Sequence, residues 1–464
     1  RRRSSGWTFG LRVLGGKAKV FDTLLEGTLE GSGRDPARAF AFSLAERLKA
    51  GGLYDRILLL EGRKKKGSRP FHLLAALEER IRILEEAGAS EKSLRPLKAK
   101  RAELLQVCSL PEPGAGELPG RVTLEDLERS LPPSMAVLFF HVGERFSALW
   151  VVRRGAARFR RLPGKKALLE RLSPFLRAAT SLPGYGSWRV SWREGRRALE
   201  FLLGGAAAFL EKGGRVAVVP GSGLEDFPFE ALVAGPPTPP EDPGGIRFLG
   251  PDLGITFTRI PSASLLVHFL SKKKKRGAGK ILLVEADHGE DLSFLREELD
   301  SIQAAPAGRE VIRLRGKRAF LRLRECGRDA ALLHLAGHAR PGGEDDPPRL
   351  TLGGERLSPL DILSWGLGPD FVNLSACRTS LGRPLPLEGR QGFARAFLAC
   401  GTRLVLSSAW EIQDRAAARF NRVFYANLGK GFSRAFLEAQ RNLRKDPAFG
   451  APFYWAPFQL TGTP

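Results

Sequence analysis

Cysteine is scarce in this sequence of 464 residues, which has four: Cys108, Cys326, Cys377 and Cys400. They lie far apart and form no CxxC pair, which excludes a zinc knuckle and a disulfide framework. Isolated cysteines suit a reducing compartment, where a thiol needed for chemistry stays free. We therefore expect a cytoplasmic protein without a metal ion or another cofactor.

Long hydrophobic runs are also missing. No apolar run reaches the roughly 18 residues that a membrane-spanning helix needs, so we expect no contact with a membrane. The first residues, Arg1–Gly6, lack the apolar stretch of a signal peptide. Methionine occurs once, as Met135, and the sequence begins with arginine, so we expect it to be a fragment of a longer protein.

Acidic residues are too few to balance the basic ones. The sequence has 74 lysines and arginines against 50 aspartates and glutamates, which gives a net charge of +24. Such a charge favours acidic partners, including nucleic acid. The densest basic clusters, Arg63–Lys66 and Lys272–Arg276, lie in glycine-containing stretches typical of solvated loops. Because no base-reading motif is present, direct nucleic-acid binding rests on charge alone, and both interpretations stay open.

The length exceeds what one hydrophobic core normally supports, and it predicts two or three domains. Apolar residues recur at helical spacing over residues 34–110. Residues 1–110 are therefore a predicted helical segment, either a helical hairpin or the end of a helical repeat array. Stretches rich in proline and glycine, residues 111–120 and 235–245, predict two linkers.

Strand and helix patterns alternate on both sides of the second linker, which predicts two α/β units, residues 122–235 and 246–464. Short, almost wholly apolar strands are typical of a mostly parallel sheet covered on both faces. The predicted strands are Ala136–His141, Phe146–Arg153, Ala157–Leu162, Arg215–Pro220, Lys280–Glu285, Glu310–Leu314, Ala330–Ala336, Phe371–Leu374 and Thr402–Ser407. The predicted helices of the second unit are Leu292–Ala304, Leu360–Trp365, Gln391–Ala399, Ala416–Leu428 and Gly431–Leu443.

Two of these strands are followed by a residue that is able to do chemistry. His338 follows the strand Ala330–Ala336, and Cys377 follows the strand Phe371–Leu374. Open α/β sheets bind ligands at the carboxyl ends of their strands, and the interval leaves room for one crossover helix, Leu360–Trp365. A thiolate is a nucleophile, and a nearby imidazole lowers the thiol pKa or takes its proton. If the two strands are neighbours, these residues form a catalytic dyad.

Acyl transfer also needs backbone N–H donors for the oxyanion, and the candidates are Cys377, Gly337 and Ala339. Each dyad residue has a plainer interpretation, because a cysteine or a histidine in an apolar strand is usually structural. His334 and His338 have the spacing of metal ligands on a helix, but the HExxH glutamate is absent. We expect His334 to be a packed, hydrogen-bonded residue of its strand.

Several short motifs occur in the order in which one known family has them. His334–His338 reads HLAGH, and Leu374–Thr379 reads LSACRT. The other matching stretches are Val218–Pro220, Phe227–Leu232, Glu388–Leu398 with Gly401, Ser408–Asp414 and Phe453–Gly462. Over residues 122–464 the sequence resembles the CHAT family of caspase-like cysteine peptidases, which are related to separase.

This resemblance implies a caspase-like α/β fold in two halves. Residues 122–235 would be a pseudo-caspase half without a dyad, and residues 246–464 would be the protease half with Cys377 and His338. The family often couples the protease to TPR repeats, so residues 1–110 would be the end of a TPR-like sensor. The resemblance further implies a bacterial cysteine endopeptidase that cleaves a protein substrate and is controlled by an activating protein or nucleoprotein partner.

Two positions depart from the family pattern. Ala339 stands where the family usually has glycine after the catalytic histidine, and its Cβ would crowd the oxyanion hole while the backbone N–H is kept. Ala409 precedes Trp410 where the family has leucine, a change that concerns packing. The rival interpretation is therefore a catalytically silent CHAT-like scaffold that binds partners.

In caspase-like folds, loops near the nucleophile form the P1 pocket, which receives the residue before the cleaved bond. Here those loops carry four acidic residues, Glu285, Asp287, Glu411 and Asp414. A carboxylate in such a pocket pairs well with a guanidinium or ammonium group, so we expect cleavage after arginine or lysine. Helix capping and ordinary surface charge are the alternative roles of these residues.

Overall fold

The structure is a computed structural model of the chain. It describes residues 35–49, 90, 94–98, 122–182, 187–236, 238–272, 280–285, 298–300, 302, 310–337, 339–340, 349–352, 354–376, 383–385 and 389–463. Among these residues, no helix has the length and the apolar character required to cross a membrane.

One large sheet organises the described part of the chain. In chain order, its strands and those of three small sheets are β1 (Met135–Val142), β2 (Phe146–Arg153), β3 (Ala156–Pro163), β4 (Arg215–Val219), β5 (Val233–Ala234), β6 (Arg247–Phe248), β7 (Thr256–Arg259), β8 (Lys280–Glu285), β9 (Val311–Leu314), β10 (Ala330–Gly337), β11 (Ala339–Arg340), β12 (Arg349–Leu352), β13 (Glu355–Leu357), β14 (Phe371–Ala376), β15 (Arg383–Leu385), β16 (Gly389–Gln391), β17 (Leu404–Ser408) and β18 (Phe458–Gly462). The large sheet has 11 strands in the order β3-β2-β1-β4-β7-β18-β17-β14-β10-β8-β9.

The direction of the strands divides this sheet into two halves. Strands β9, β8, β10, β14 and β17 are parallel, so their carboxyl ends lie at one edge. Strand β18 is antiparallel to β17 and parallel to β7, and β7, β4 and β1 are parallel to one another. These N-terminal strands therefore end at the opposite edge. The sheet continues unbroken from one half to the other through β18, and the division of the chain into domains stays a prediction.

Helices cover both faces of the sheet. In chain order they are α1 (Asp35–Leu48), α2 (Leu124–Ser130), α3 (Lys165–Thr180), α4 (Ser187–Leu202), α5 (Ala263–Ser271), α6 (Ala319–Cys326), α7 (Pro359–Trp365), α8 (Phe393–Ala399), α9 (Asp414–Ala426), α10 (Phe432–Lys445) and α11 (Pro452–Trp455). Helices α3, α4, α9 and α10 pack on one face in a single apolar core. On the other face, α1, α2 and α5 cover the N-terminal strands, while α6, α7 and α8 cover the C-terminal ones. The predicted α/β sheet, mostly parallel and covered on both faces, is confirmed.

Helix α7 is the crossover between β10 and β14 that the sequence predicts. Its seven residues begin at a capping box, in which Ser358 and Asp361 each accept a hydrogen bond from the backbone N–H of the other. Gly366 ends the helix in the left-handed conformation, with φ of 64°, which glycine adopts without a steric cost. These local signals fix both ends of a short helix, and the chain returns to start β14 beside β10.

Two central strands, β7 and β18, escape the sequence analysis because they carry polar residues. Arg259 of β7 is buried, and its guanidinium binds the fully buried carboxylate of Glu230 and, at 2.8 Å, the carbonyl oxygen of Phe227. In β18, the buried Gln459 amide donates to the carbonyl oxygen of Asp226 at 3.1 Å. A polar strand is tolerated in a core where partners from elsewhere in the chain satisfy it, and a local pattern does not contain those partners.

Helix α1 is packed into the fold. The Phe42 ring is 0% exposed, and its centroid lies 4.7 Å from that of Phe139 and 5.9 Å from that of Trp150. The buried carboxylate of Glu46 accepts hydrogen bonds of 3.0 and 2.8 Å from the first two backbone N–H groups of α5, where the helix dipole favours negative charge. Helix α1 lies in the predicted helical segment, most of which lies outside the described residues.

Replacing Phe42 with alanine should lower the free energy of unfolding by about 3–5 kcal/mol, since the change leaves a cavity between α1 and the sheet. Urea denaturation measures this loss. Ser43→Ala, on the same helix, should change stability by about 0.5 kcal/mol or less. Equally small losses from the two variants would contradict the packing of α1 described above.

Candidate functional site

The carboxyl ends of β10 and β14 meet at one edge of the sheet. The strands are parallel neighbours, and their last residues, Gly337 and Ala376, lie directly opposite each other. The next residues in the sequence are those of the predicted dyad, His338 after Gly337 and Cys377 after Ala376. Both dyad residues lie outside the described residues, so the dyad stays a prediction. The condition set for it, that the two strands are neighbours, is confirmed.

Two of the predicted oxyanion donors, Gly337 and Ala339, belong to different sheets. Gly337 is the last residue of β10, and Ala339 begins β11, where it lies opposite Leu350 of the antiparallel strand β12. Cys377, the third predicted donor, lies outside the described residues. The assignment of Gly337, Ala339 and Cys377 as oxyanion donors stays a prediction.

Acidic residues flank the β10–β14 pair on both sides. Glu285 ends β8, the neighbour of β10, and its carboxylate lies 3.1 Å from the Arg313 guanidinium of β9. Glu411 and Asp414 follow β17, the neighbour of β14, and both are exposed. Asp414 is also the first residue of α9, where a negative charge is favourable. Asp287 lies outside the described residues, and the acidic P1 pocket stays a prediction.

Buried polar side chains lie below this edge, on the sheet face that α9 covers. His334 of β10 is 0% exposed, and its Nδ1 lies 2.8 Å from the Tyr425 hydroxyl of α9. The Asn373 amide donates to the same hydroxyl oxygen at 3.3 Å. The Tyr425 hydroxyl therefore contacts side chains of both strands, β10 and β14. The prediction that His334 is a packed, hydrogen-bonded strand residue is confirmed.

Glu298 and Asn421 connect these side chains to the neighbouring strand. Glu298 Oε1 accepts from the Ser375 hydroxyl at 2.7 Å and from the Asn421 amide at 2.6 Å. It also lies 3.2 Å from His334 Nε2, in a geometry too bent for a hydrogen bond. The Asn421 amide nitrogen lies 3.1 Å from the Ser375 oxygen, and the Asn421 carbonyl oxygen accepts from the Asn373 amide at 2.8 Å.

These contacts join β10, β14, α9 and the helical segment at residues 298–300. We call the six residues the polar network: Glu298, His334, Asn373, Ser375, Asn421 and Tyr425. Burial raises the pKa of the Tyr425 hydroxyl above its ordinary value of 10.0, and the nearby Glu298 carboxylate acts in the same direction. The hydroxyl therefore stays protonated and is available as a donor.

Of the polar network, the sequence analysis identified His334 alone. Asn373 and Ser375 are the signal that could have revealed more, because they alternate along an otherwise apolar strand and must find partners inside the core. Those partners, on α9 and at residue 298, are distant in the sequence. His334 lies in a strand and not on a helix, and the described ranges contain no group of three or more ligating side chains suited to a metal ion.

A family model for the CHAT domain matches residues 194–463. The chain belongs to the CHAT domain family. Two curated relatives, the tetratricopeptide repeat protein 28 of Mus musculus and that of Homo sapiens, are each 33% identical to this CHAT chain over 121 residues. The aligned part covers 26% of this chain and 5% of each relative.

The CHAT chain also resembles solved structures in its fold. A crystal structure of the Saccharomyces cerevisiae separase–securin complex at 2.6 Å resolution matches it with a TM-score of 0.52 and 12% identity. The match covers 93% of this chain and 34% of the matched chain. A second structure of that complex, at 3.0 Å resolution, gives a TM-score of 0.51. The predicted fold class, a caspase-like and mostly parallel α/β sheet flanked by helices, is confirmed.

Replacing Tyr425 with phenylalanine should lower the free energy of unfolding by about 1–3 kcal/mol near neutral pH, because His334 Nδ1 and the Asn373 amide lose a buried partner. The raised pKa means that the hydroxyl stabilises the fold fully below pH 10.0, and that this contribution is lost as the pH rises further. Urea denaturation at neutral pH and above pH 10.0 measures both effects.

Tyr454→Phe is the matched control, because the Tyr454 ring contacts Phe449 and Phe453 and its loss of a hydroxyl should cost about 0.5 kcal/mol or less. If the free energy of unfolding of wild type at neutral pH is no higher than that of Tyr425→Phe, the buried hydrogen bonds of Tyr425 are contradicted.

Proposed function

We propose that the chain is a cysteine endopeptidase in which Cys377 is the nucleophile and His338 is its base. The observation that carries this proposal is the pairing of β10 with β14, in which Gly337 lies opposite Ala376. The next residue in the sequence is His338 after Gly337 and Cys377 after Ala376. The proposal puts both side chains at the same edge of the sheet, where open α/β sheets bind their ligands.

The alternation of side chains along the strands supports the same placement. Residues at even spacing along a strand share a face, so Ala336 lies on the face of β10 that carries His334, and Ser375 lies on the face of β14 that carries Asn373. Ala336 lies opposite Ser375. We propose that the same alternation extends two positions further in the sequence, which would make His338 and Cys377 the next opposed pair.

The proposed reaction needs these two side chains and a few backbone groups. The thiol of Cys377 gives its proton to His338, and the thiolate attacks the carbonyl carbon of the peptide bond. The oxyanion is held by backbone N–H groups of Cys377 and of residues 337–339. When the C–N bond breaks, His338 returns the proton to the leaving amine. Water, deprotonated by His338, then releases the acyl group as a carboxylic acid and restores the thiol.

The substrate and the control of the site are part of the proposal. The CHAT domain would cleave a protein substrate, and a protein partner bound to the N-terminal helical segment would control it. Helix α1 supports this connection, because it lies in that segment and packs into the core next to β1. The separase structure, which is similar to this chain in its fold, is a complex of separase with a partner, securin.

Alkylation of the cysteines with iodoacetamide at pH 6, followed by mass spectrometry, tests the dyad without a known substrate. Cys377 should react at least about ten times faster than Cys326 and Cys400, because a neighbouring imidazole increases the share of thiolate at this pH. His338→Ala should remove the difference. A Cys377 that reacts no faster than the other two would favour the catalytically silent scaffold.

Glu411 and Asp414 are the groups proposed to select the residue before the cleaved bond. Both are exposed and follow β17, the neighbour of β14. Their carboxylates favour an arginine or lysine side chain of the substrate. Glu285, on the other side of the strand pair, binds Arg313.

Fluorogenic peptides that differ in the residue before the cleaved bond test this selection. Arginine and lysine peptides should be cleaved fastest, and Glu411→Gln with Asp414→Asn should lower their kcat/KM about tenfold by removing charge pairs. Glu325→Gln, an exposed acid paired with Arg322 on α6, should leave these rates unchanged. Faster cleavage after aspartate or leucine than after arginine would refute the acidic pocket.

A further inference from the structure

We infer that Asn421 is a positioning residue for the dyad, and that it acts through the polar network on the strand that leads to Cys377. This inference rests on the proposed function and deepens it. Asn421 is 1% exposed and lies on α9, on the face of the sheet that carries the polar residues of β10 and β14.

One side chain, that of Asn421, spans two positions of β14. The Asn421 carbonyl oxygen accepts from the Asn373 amide at 2.8 Å, and the Asn421 amide nitrogen lies 3.1 Å from the Ser375 oxygen. These two residues of β14 are successive on one face of the strand. In the sequence, Cys377 follows Ser375 by two positions. Asn421 therefore fixes the two positions that precede the proposed nucleophile.

The polar network also joins β14 to β10, the strand that precedes His338 in the sequence. The Tyr425 hydroxyl lies 2.8 Å from His334 Nδ1 of β10 and accepts from the Asn373 amide of β14 at 3.3 Å. In the sequence, His334 precedes His338 by four positions, and Asn373 precedes Cys377 by the same number. The polar network therefore fixes the position of β10 relative to β14 along the strand direction, close to the proposed dyad.

The side-chain contacts of the polar network are directional. Apolar packing has no preferred direction, whereas a buried hydrogen bond fails when its partner moves. The rest of β14 is apolar, namely Phe371, Val372, Leu374 and Ala376. The polar network supplies the directional contacts of this face, and a shift of about 1 Å in the strand end would slow a reaction that depends on the dyad geometry.

Asn421→Leu tests this role, since leucine fills a similar volume and makes none of the hydrogen bonds. The full chain is alkylated with iodoacetamide at pH 6, and the peptide that contains Cys377 is followed by mass spectrometry. The alkylation rate of Cys377 should fall about 10- to 100-fold, and kcat on an arginine peptide should fall by a similar factor with little change in KM.

Phe424→Leu is the matched control for a loss of packing. Phe424 lies on α9 three residues after Asn421, is fully buried, and stacks on Phe371 of β14 at a centroid distance of 5.3 Å. Each variant is assayed well below its own melting temperature. The control should keep the Cys377 alkylation rate within about threefold of wild type, because it removes packing but no directional contact.

The outcomes separate this inference from the proposed function. Suppose that Cys377 is alkylated fast in wild type. If Asn421→Leu then reacts at the same rate as wild type, or if Asn421→Leu and Phe424→Leu lose the same factor in rate, the positioning role is overturned and the dyad is kept. Slow alkylation of Cys377 in wild type overturns the dyad and the positioning role together. If Asn421→Leu does not fold, Ser375→Ala removes one of the two contacts of Asn421 with β14, and a wild-type alkylation rate in that variant overturns the inference.

Discussion

The parallel pairing of β10 with β14 is the contact on which the account of this CHAT domain depends. Its register puts Gly337 opposite Ala376, and the two strands run in the same direction to the same edge of the sheet. Helix α7 makes this pairing achievable, because a parallel neighbour requires a crossover and α7 begins and ends at strong local signals. A register shifted by one residue would turn the polar side chains of β14 to the opposite face.

The sheet as a whole explains why the site is proposed in the C-terminal half. Strands β8, β10, β14 and β17 all end at one edge. Beyond the antiparallel step between β17 and β18, strands β7, β4 and β1 end at the opposite edge. The N-terminal half therefore widens the core and supplies the surface on which α1 packs.

Sequence patterns predicted those parts of the fold whose cause is local. The apolar strands β2 and β8 were predicted with the bounds that the structure has, because continuous burial leaves a readable run of apolar residues. Helix α7 was predicted from its spacing. Strand β7 was missed because Arg259 makes it look polar, and its partner Glu230 comes from a different segment. Local periodicity does not contain a pairing of this kind.

In the candidate site, too, the sequence reveals the residues with a local signal and misses those whose partners are distant in the sequence. His338 and Cys377 stand out in the sequence because each follows an apolar strand and small residues, and because the motifs around them resemble a family. Asn421 and Glu298 carry no such signal, since an asparagine or a glutamate on a helix is ordinary until its neighbours are known. Asn421 and Glu298 belong to the candidate site because both are hydrogen-bonded to Ser375. These three residues are distant in the sequence and come together only in the folded chain.

The bifunctional reagent 1,3-dibromoacetone tests most directly whether the strand pairing brings the thiol and the imidazole together. It alkylates a reactive thiol first and then an imidazole within its reach. The account predicts that peptide mapping by mass spectrometry will find Cys377 bridged to His338, and that His338→Ala will give only the singly attached product at Cys377. A wild-type chain in which Cys377 is modified but never bridged to His338 would contradict the account.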